Sequence, residues 1–274
     1  MSPNVLAFGA SRTGNICYLS AIRLLEQGAT VTFLGRNPAA LETNELLQGY
    51  LKSGKARVIK GDATKEEDVR RAWSEAGTVD IVLFGVGMYP TMHLFKGMVF
   101  PSKNLVTTCI LNVLCTLPAP PPKLILVSGM ALRPSAHASL PLLVKPVYAT
   151  LGVPHRDKLG MERALAHCAG WPWNPATDGA PGADIMGDAW TARAGLPSAG
   201  TFRNLLLVRP ALLTDGKCVA DEVRAKGKGK SYRVSEHDLS SCYTVSRADV
   251  AHFIVTEALP RWDEFRNKAV NMGY

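Results

Sequence analysis

The chain has 274 residues, 47% hydrophobic and 20% charged, with a net charge of +8 at neutral pH. These figures fit one large α/β domain with a full core and exclude a disordered chain. No apolar run approaches the ~20 residues of a membrane span, and the opening Met1-Ser2-Pro3-Asn4 lacks the basic segment of a signal peptide, so a cytoplasmic protein without membrane contact is expected.

Residues 4–9 form an apolar run that ends in glycine. Ile16, Leu19, Ile22 and Leu25 then carry helical spacing over 16–27, stopped by Gly28. Residues 30–34 are β-branched and apolar, as in a buried parallel strand. A helix is predicted over 38–51, a strand over 56–60, a helix over 65–74 capped by Thr64, and a strand over 79–84. A helix over 102–117 and a strand over 123–127 follow. Strand–helix alternation at this pitch predicts parallel strands joined by right-handed crossovers, a doubly wound Rossmann sheet.

The second half is less regular. A helix is predicted over 155–168, a strand over 205–209 stopped by Pro210, a helix over 247–259 opened by Ser246, and a final strand over 268–272. Residues 170–201 are rich in Pro, Gly, Ala and Trp and read as a long insertion, either a lid or a disordered segment. No linker divides the chain. One domain over 1–274 is expected, with 170–201 and 211–246 as substrate-side insertions that make a small C-terminal substrate lobe. Six cysteines are scattered without ligand spacing, so free thiols and no metal are expected. The basic run over 224–233 reads as a solvated mobile loop; charge alone supports a nucleic-acid reading, and no nucleic-acid partner is expected.

The turn Gly9-Ala10-Ser11-Arg12-Thr13-Gly14 lies between the first strand and the first helix. There the N–H groups of a helix N-terminus can hold a diphosphate, and glycine lets the backbone approach it. At the end of the second strand an NAD-binding chain commonly carries an acid for the ribose 2′-hydroxyl. This chain has Leu34-Gly35-Arg36 instead, so Arg36 and Arg12 point to a 2′-phosphate and to NADP(H). Asp62 and Ala63 after the third strand, and Gly85, Val86 and Gly87 after the fourth, are further candidate cofactor contacts.

These pieces resemble an extended or atypical short-chain dehydrogenase/reductase of the NmrA-like and biliverdin-reductase-B-like branch, and are similar above all to fungal NAD(P)-binding-domain proteins. The matching segments are GASR, RLLEQGATVTFLGRNP, GDAT, DIVLFGVG, LILVSGMALRP, PHRDKLGMERALAHCAGWPW, VRPALLTDG and YTVSRADVAHFIVTEAL, spread over nearly the whole chain. The resemblance implies a Rossmann sheet and NADP(H), with the nicotinamide near Ser128 and the loop of Pro210, Leu212 and Leu213. Two departures stand out. Cys17 occupies the place of the third turn glycine, with Thr13-Gly14 as an insertion. The Tyr-x-x-x-Lys pair is missing, because Gly152 follows Tyr148 by four residues.

Lys158 is the best match for the family lysine that binds the nicotinamide ribose. His155, one turn earlier, is a candidate proton donor or an exposed helix-start histidine. Tyr148 is a second donor candidate, and Ser128, at the carboxyl end of a strand, a candidate for bonding a substrate oxygen. Trp171, Trp173 and Trp190 either line a flat apolar pocket or anchor their loop. No G-x-S-x-G elbow is present, which argues against a hydrolase. The expected function is NADPH-dependent reduction of a small or flat carbonyl, quinone, flavin or enone, by a monomer. The alternative is a non-catalytic NADP(H)-binding redox sensor.

Overall fold

A computed structural model describes residues 2–10, 12–88, 91–93, 97–100, 102–137, 151–229 and 231–274. The strands are β1 (Asn4–Phe8), β2 (Thr30–Gly35), β3 (Ala56–Lys60), β4 (Ile81–Phe84), β5 (Thr91–His93), β6 (Gly97–Val99), β7 (Lys123–Val127), β8 (Leu205–Pro210), β9 (Leu212–Thr214), β10 (Arg233–Ser235), β11 (Thr244–Ser246) and β12 (Lys268–Gly273). Eight of them form one sheet in the order β10-β12-β8-β7-β4-β1-β2-β3, parallel throughout except for the antiparallel edge strand β10. The order reverses between β1 and β4, which is the topological switch point where such sheets open a crevice at their carboxyl edge.

The helices are α1 (Ile16–Glu26), α2 (Ala39–Glu42), α3 (Glu45–Lys52), α4 (Glu66–Ala76), α5 (Leu105–Cys115), α6 (Pro134–His137), α7 (Gly152–Ala169), α8 (Pro175–Asp178), α9 (Ala183–Met186), α10 (Val219–Lys226), α11 (Arg247–His252) and α12 (Trp262–Phe265). They cover both faces of the sheet. One core joins the sheet to α1, α3 and α11 through Phe33, Leu25, Leu47 and Val250. The other joins it to α4, α5 and α7 through Leu6, Phe84, Leu124 and Met161. Each such side chain contributes about 1.5–3 kcal/mol on burial.

Local differences from the sequence reading have local causes. The helix predicted over 38–51 is two helices, because Asn44 caps a fresh start: its Oδ1 accepts from Leu47 N and from the Tyr18 hydroxyl. Thr64 is no helix cap; its N–H and hydroxyl both donate to Asp62 Oδ1. The helix predicted over 247–259 passes into a π-helical stretch at Phe253–Ala258. The basic run over 224–233 is no single loop. It begins in α10 and ends in β10, where Arg233 donates to the carbonyls of Ser240, Ser241 and Tyr274; Lys230 lies outside the described residues.

Residues 170–201 fold as short helical turns packed on the outer side of α7 and α5. Ile185 and Met186 are buried there against Gly160 of α7, where a Cβ would lie 2.7 Å from Ile185 Cγ2. Trp171 donates to Asn267 O, Trp173 donates to Gly179 O, and Arg163 lies over the rings of Trp173 and Trp190. The three tryptophans therefore anchor the segment. No helix among the described residues is long and apolar enough to cross a membrane.

Candidate cofactor and active-site cleft

The turn after β1 is built around two contacts. Gly9 has φ +80, and a Cβ on it would lie 2.5 Å from Val86 N, so only glycine fits this crossing. Asn15 caps α1: its Oδ1 accepts from Tyr18 N at 2.7 Å while its Nδ2 donates to Gly9 O at 2.5 Å. Strand end and helix start are thus held together across the longer turn, and Arg12, Thr13 and Gly14 stand exposed on its rim. Cys17 is buried below. Gly85 faces it, and a Cβ there would meet Cys17 Sγ at 2.5 Å. The close helix–strand approach that the third turn glycine normally allows is kept by moving the missing side chain across the contact. Burial pushes the Cys17 thiol up to about 12, so it stays a thiol.

From this turn a cleft of about 250 Å³ runs toward β2 and β3, lined by Gly9, Arg12, Arg36, Asp62 and Ala63. The Asp62 turn is held by Thr64 and by Asp62 N donating to Asp68 Oδ2 at 2.8 Å; Asn112 Nδ2 donates to Ala63 O. A second cleft of about 310 Å³ continues from the first through Asn15, Gly85, Val86 and Gly87. Its walls are largely apolar, with Val127, Leu132 and Leu213 among them, and its polar groups beyond Asn15 are His155, Lys158 and Arg247.

Lys158 reaches the cleft from α7 and donates through Nζ to the backbone carbonyl of Ser128 at 2.8 Å. Desolvation brings its ammonium down to about 8, against the opposing pull of Glu162 and Asp157. His155 lies one turn earlier, half-buried on the same wall. The Ser128 hydroxyl points elsewhere: it donates to Glu162 Oε1 at 2.7 Å and is 1% exposed. The expectation that it bonds a substrate oxygen is therefore corrected. Ser128 serves the cleft through its carbonyl, because the buried Glu162 carboxylate is the stronger acceptor for the hydroxyl.

Glu162, also 1% exposed, takes Arg209 Nε at 3.0 Å and Nη2 at 2.6 Å, with Arg133 Nε at 3.5 Å. Burial alone would raise its carboxyl, but Arg209, Ser128 and Arg133 together hold it below the usual carboxylate range. Arg133 also binds Asp178 at 2.8 Å, tying α8 to this cluster. Two other buried carboxylates fix the frame. Asp157 accepts from Val106 N and Thr107 N at the start of α5. Asp249 accepts from Val219 N and Ala220 N at the start of α10, and from Ser246 and Tyr274. The latter gives the Ser-Arg-x-Asp segment a structural role.

Most of the predicted cofactor residues thus meet in one groove. Pro210 is buried at the end of β8, and Leu212 lies in β9 with Leu213, which alone of the three lines the cleft. Ser11 and Tyr148 lie outside the described residues. Sequence reasoning missed Asn15, Glu162, Arg209 and Arg247. The signal for Asn15 was its place one residue before the first helical position; Glu162, four residues after Lys158, sits on the same helical face. Among the described residues no group of His, Cys, Asp or Glu could hold a metal.

Solved structures with this fold are numerous. ChuY from Escherichia coli O157:H7, an anaerobillin reductase, superposes with a TM-score of 0.61 at 16% identity, covering 98% of this chain and 95% of that one. A short-chain dehydrogenase/reductase from Brucella melitensis gives 0.56 at 11%, covering 98% and 94%. The chain shares with them a Rossmann-like α/β fold, an eight-stranded, mostly parallel sheet with flanking helices. YwfH, an NADPH-dependent reductase of bacilysin biosynthesis, gives 0.55 at 12%, covering 98% of both chains. In sequence, the chain is 25% identical over 291 positions to the reductase pytE of Aspergillus terreus, covering 99% of this chain and 98% of that protein. No family model matches.

Proposed function

We propose that the protein is an NADPH-dependent reductase of a small or flat organic substrate: a carbonyl, quinone, flavin or enone. The observation that carries this reading is the continuity of the groove, from the two arginines beside β2, over Gly9 and the start of α1, to Lys158. The cradle fits a dinucleotide: Gly9 lets the turn cross tightly against the Gly85–Val86 backbone, and the turn leads to the N-terminus of α1, where N–H groups can face a diphosphate. Arg36 and Arg12, with no acid after β2, favour a 2′-phosphate by charge-assisted bonds. Gly85, Val86 and Gly87 let the middle of the ligand lie close to the sheet, and Lys158 holds the nicotinamide ribose. A fungal reductase aligns with this chain over 98% of its length, and a fold neighbour is an NADPH-dependent reductase.

NADPH, when bound, supplies the hydride, which is the hard part of the chemistry. The chain supplies binding, dryness and a proton. Lys158 is a proton donor tuned to about 8, close to the working pH. The Ser128 carbonyl positions it, and His155 is the second donor on the same wall. The apolar walls exclude water from the reacting atoms.

The test is NADPH consumption against a panel of quinones, flavins, enones and aldehydes, with His155→Ala and Lys158→Met alongside. Turnover that falls at least tenfold in Lys158→Met supports the assignment. Tight NADPH binding without turnover of any substrate would favour a redox sensor instead.

A further inference from the structure

The Cys17 site and the longer turn leave the diphosphate position with an unusual setting. The helix start is there, but the two residues that lengthen the turn stand on the rim, and Arg36 lies at the far end of the first cleft. The opposite wall of the groove provides a cation. β9 and β11 pair in parallel, with Thr214 beside Ser246, and Ser246 caps α11 by accepting from Asp249 N at 2.9 Å. The next residue in each segment is Asp215 and Arg247, and Arg247 Nη1 donates to Asp215 Oδ1 at 2.5 Å. Because α11 packs against α1, with both helices starting at the same edge of the sheet, Arg247 shares a wall with Asn15, Ile16 and Cys17.

The environments of the pair differ. Asp215 is 86% exposed and the Arg247 side chain 27%. Asp215 thus holds a sheltered guanidinium in place from the solvent side, through a surface pair of small intrinsic strength. No carboxylate lines the second cleft among the described residues; its charged groups are Lys158 from α7 and Arg247 from α11. Asp157 and Glu162, the acids nearest Lys158, are occupied by α5 and by Arg209. An anionic ligand at the start of α1 therefore meets a cation on this side whose own counter-ion, Asp215, lies out toward solvent and not in the cleft lining.

We propose that Arg247 is the residue that binds the dinucleotide's diphosphate, across the groove from the glycine turn, with Asp215 as its positioning residue. The inference rests on the dinucleotide reading of the groove. It separates two electrostatic tasks: Arg36 reads the 2′-phosphate, and Arg247 neutralises the bridge common to NADPH and NADH.

Fluorescence titration of the full chain with NADPH, NADH and adenosine 2′-monophosphate tests this. Arg247→Ala is expected to weaken both dinucleotides about tenfold to a hundredfold, the loss of one charge-assisted contact, and to leave adenosine 2′-monophosphate within about twofold. Arg247→Lys keeps the charge and should retain most of the affinity, and a thermal midpoint equal to wild type certifies folding. Arg36→Ala should give the reverse pattern, weakening NADPH and the monophosphate but not NADH. Unchanged dinucleotide affinity in Arg247→Ala, or an equal loss for the monophosphate, overturns the proposal. Equal wild-type affinity for NADPH and NADH overturns the NADP(H) choice instead, while the effect of Arg247→Ala on NADH still decides the role of the arginine.

Discussion

Cys17 and Gly85 share one space: the Cys17 sulfur fills the position that a Cβ on Gly85 would take, 2.5 Å away. The helix–strand contact under the cofactor turn is thus complementary as a pair. Gly85→Ala should destabilise the fold by about 1–3 kcal/mol through overpacking. Adding Cys17→Gly should recover part of that loss, although glycine costs about 1 kcal/mol in a helix. A double-mutant cycle by urea unfolding checks it; strictly additive effects would show that the two residues do not share the space.

Lys158 is expected to exchange stability for function. Its ammonium falls from 10.5 to about 8 on folding. Between those values the unfolded chain holds more protons than the native one, so stability rises with pH across that window, and the full penalty is present below about 8. Lys158→Met should raise the thermal midpoint near neutral pH, by roughly 2–4 °C for each kcal/mol relieved, and flatten the rise toward pH 10. Turnover in wild type should fall as pH passes about 8, where the donor loses its proton.

Glu162 keeps two arginines and a serine in register. Glu162→Ala leaves Arg209 buried without its bidentate partner and should cost about 3–5 kcal/mol. Glu162→Gln retains shape but removes the charge that raises Lys158, so the alkaline limb of the pH–rate profile should move to lower pH. A limb that stays in place would show that Glu162 acts on packing alone.

Asp249 should prove structural. Asp249→Ala removes the acceptor at the start of α10 and at the Tyr274 hydroxyl, with an expected loss of about 1–3 kcal/mol in chemical denaturation. NADPH affinity at a temperature well below the transition should be retained.

Much of the frame was readable along the chain. The strand–helix alternation, the glycine turn at the first junction and the arginine in place of an acid after β2 all depend on residues a few positions apart, where period and side-chain type carry the information. Helix ends were less readable. Asn44 splits one predicted helix and Thr64 caps none, because each polar side chain chose among several nearby partners.

By itself the sequence determined the sheet, its direction and the groove across its carboxyl edge, since local periodicity and right-handed crossovers leave little choice. Tertiary structure decided which way side chains at that edge face. Ser128 turns to Glu162 across 34 residues, and Arg209 to the same carboxylate across 47. The aromatic segment over 170–201 packs behind α7 and α5 because Gly160 opens a space there that only the folded helix presents. Arg247 joins the groove through the pairing of β9 with β11, a contact between segments about thirty residues apart that no local pattern encodes.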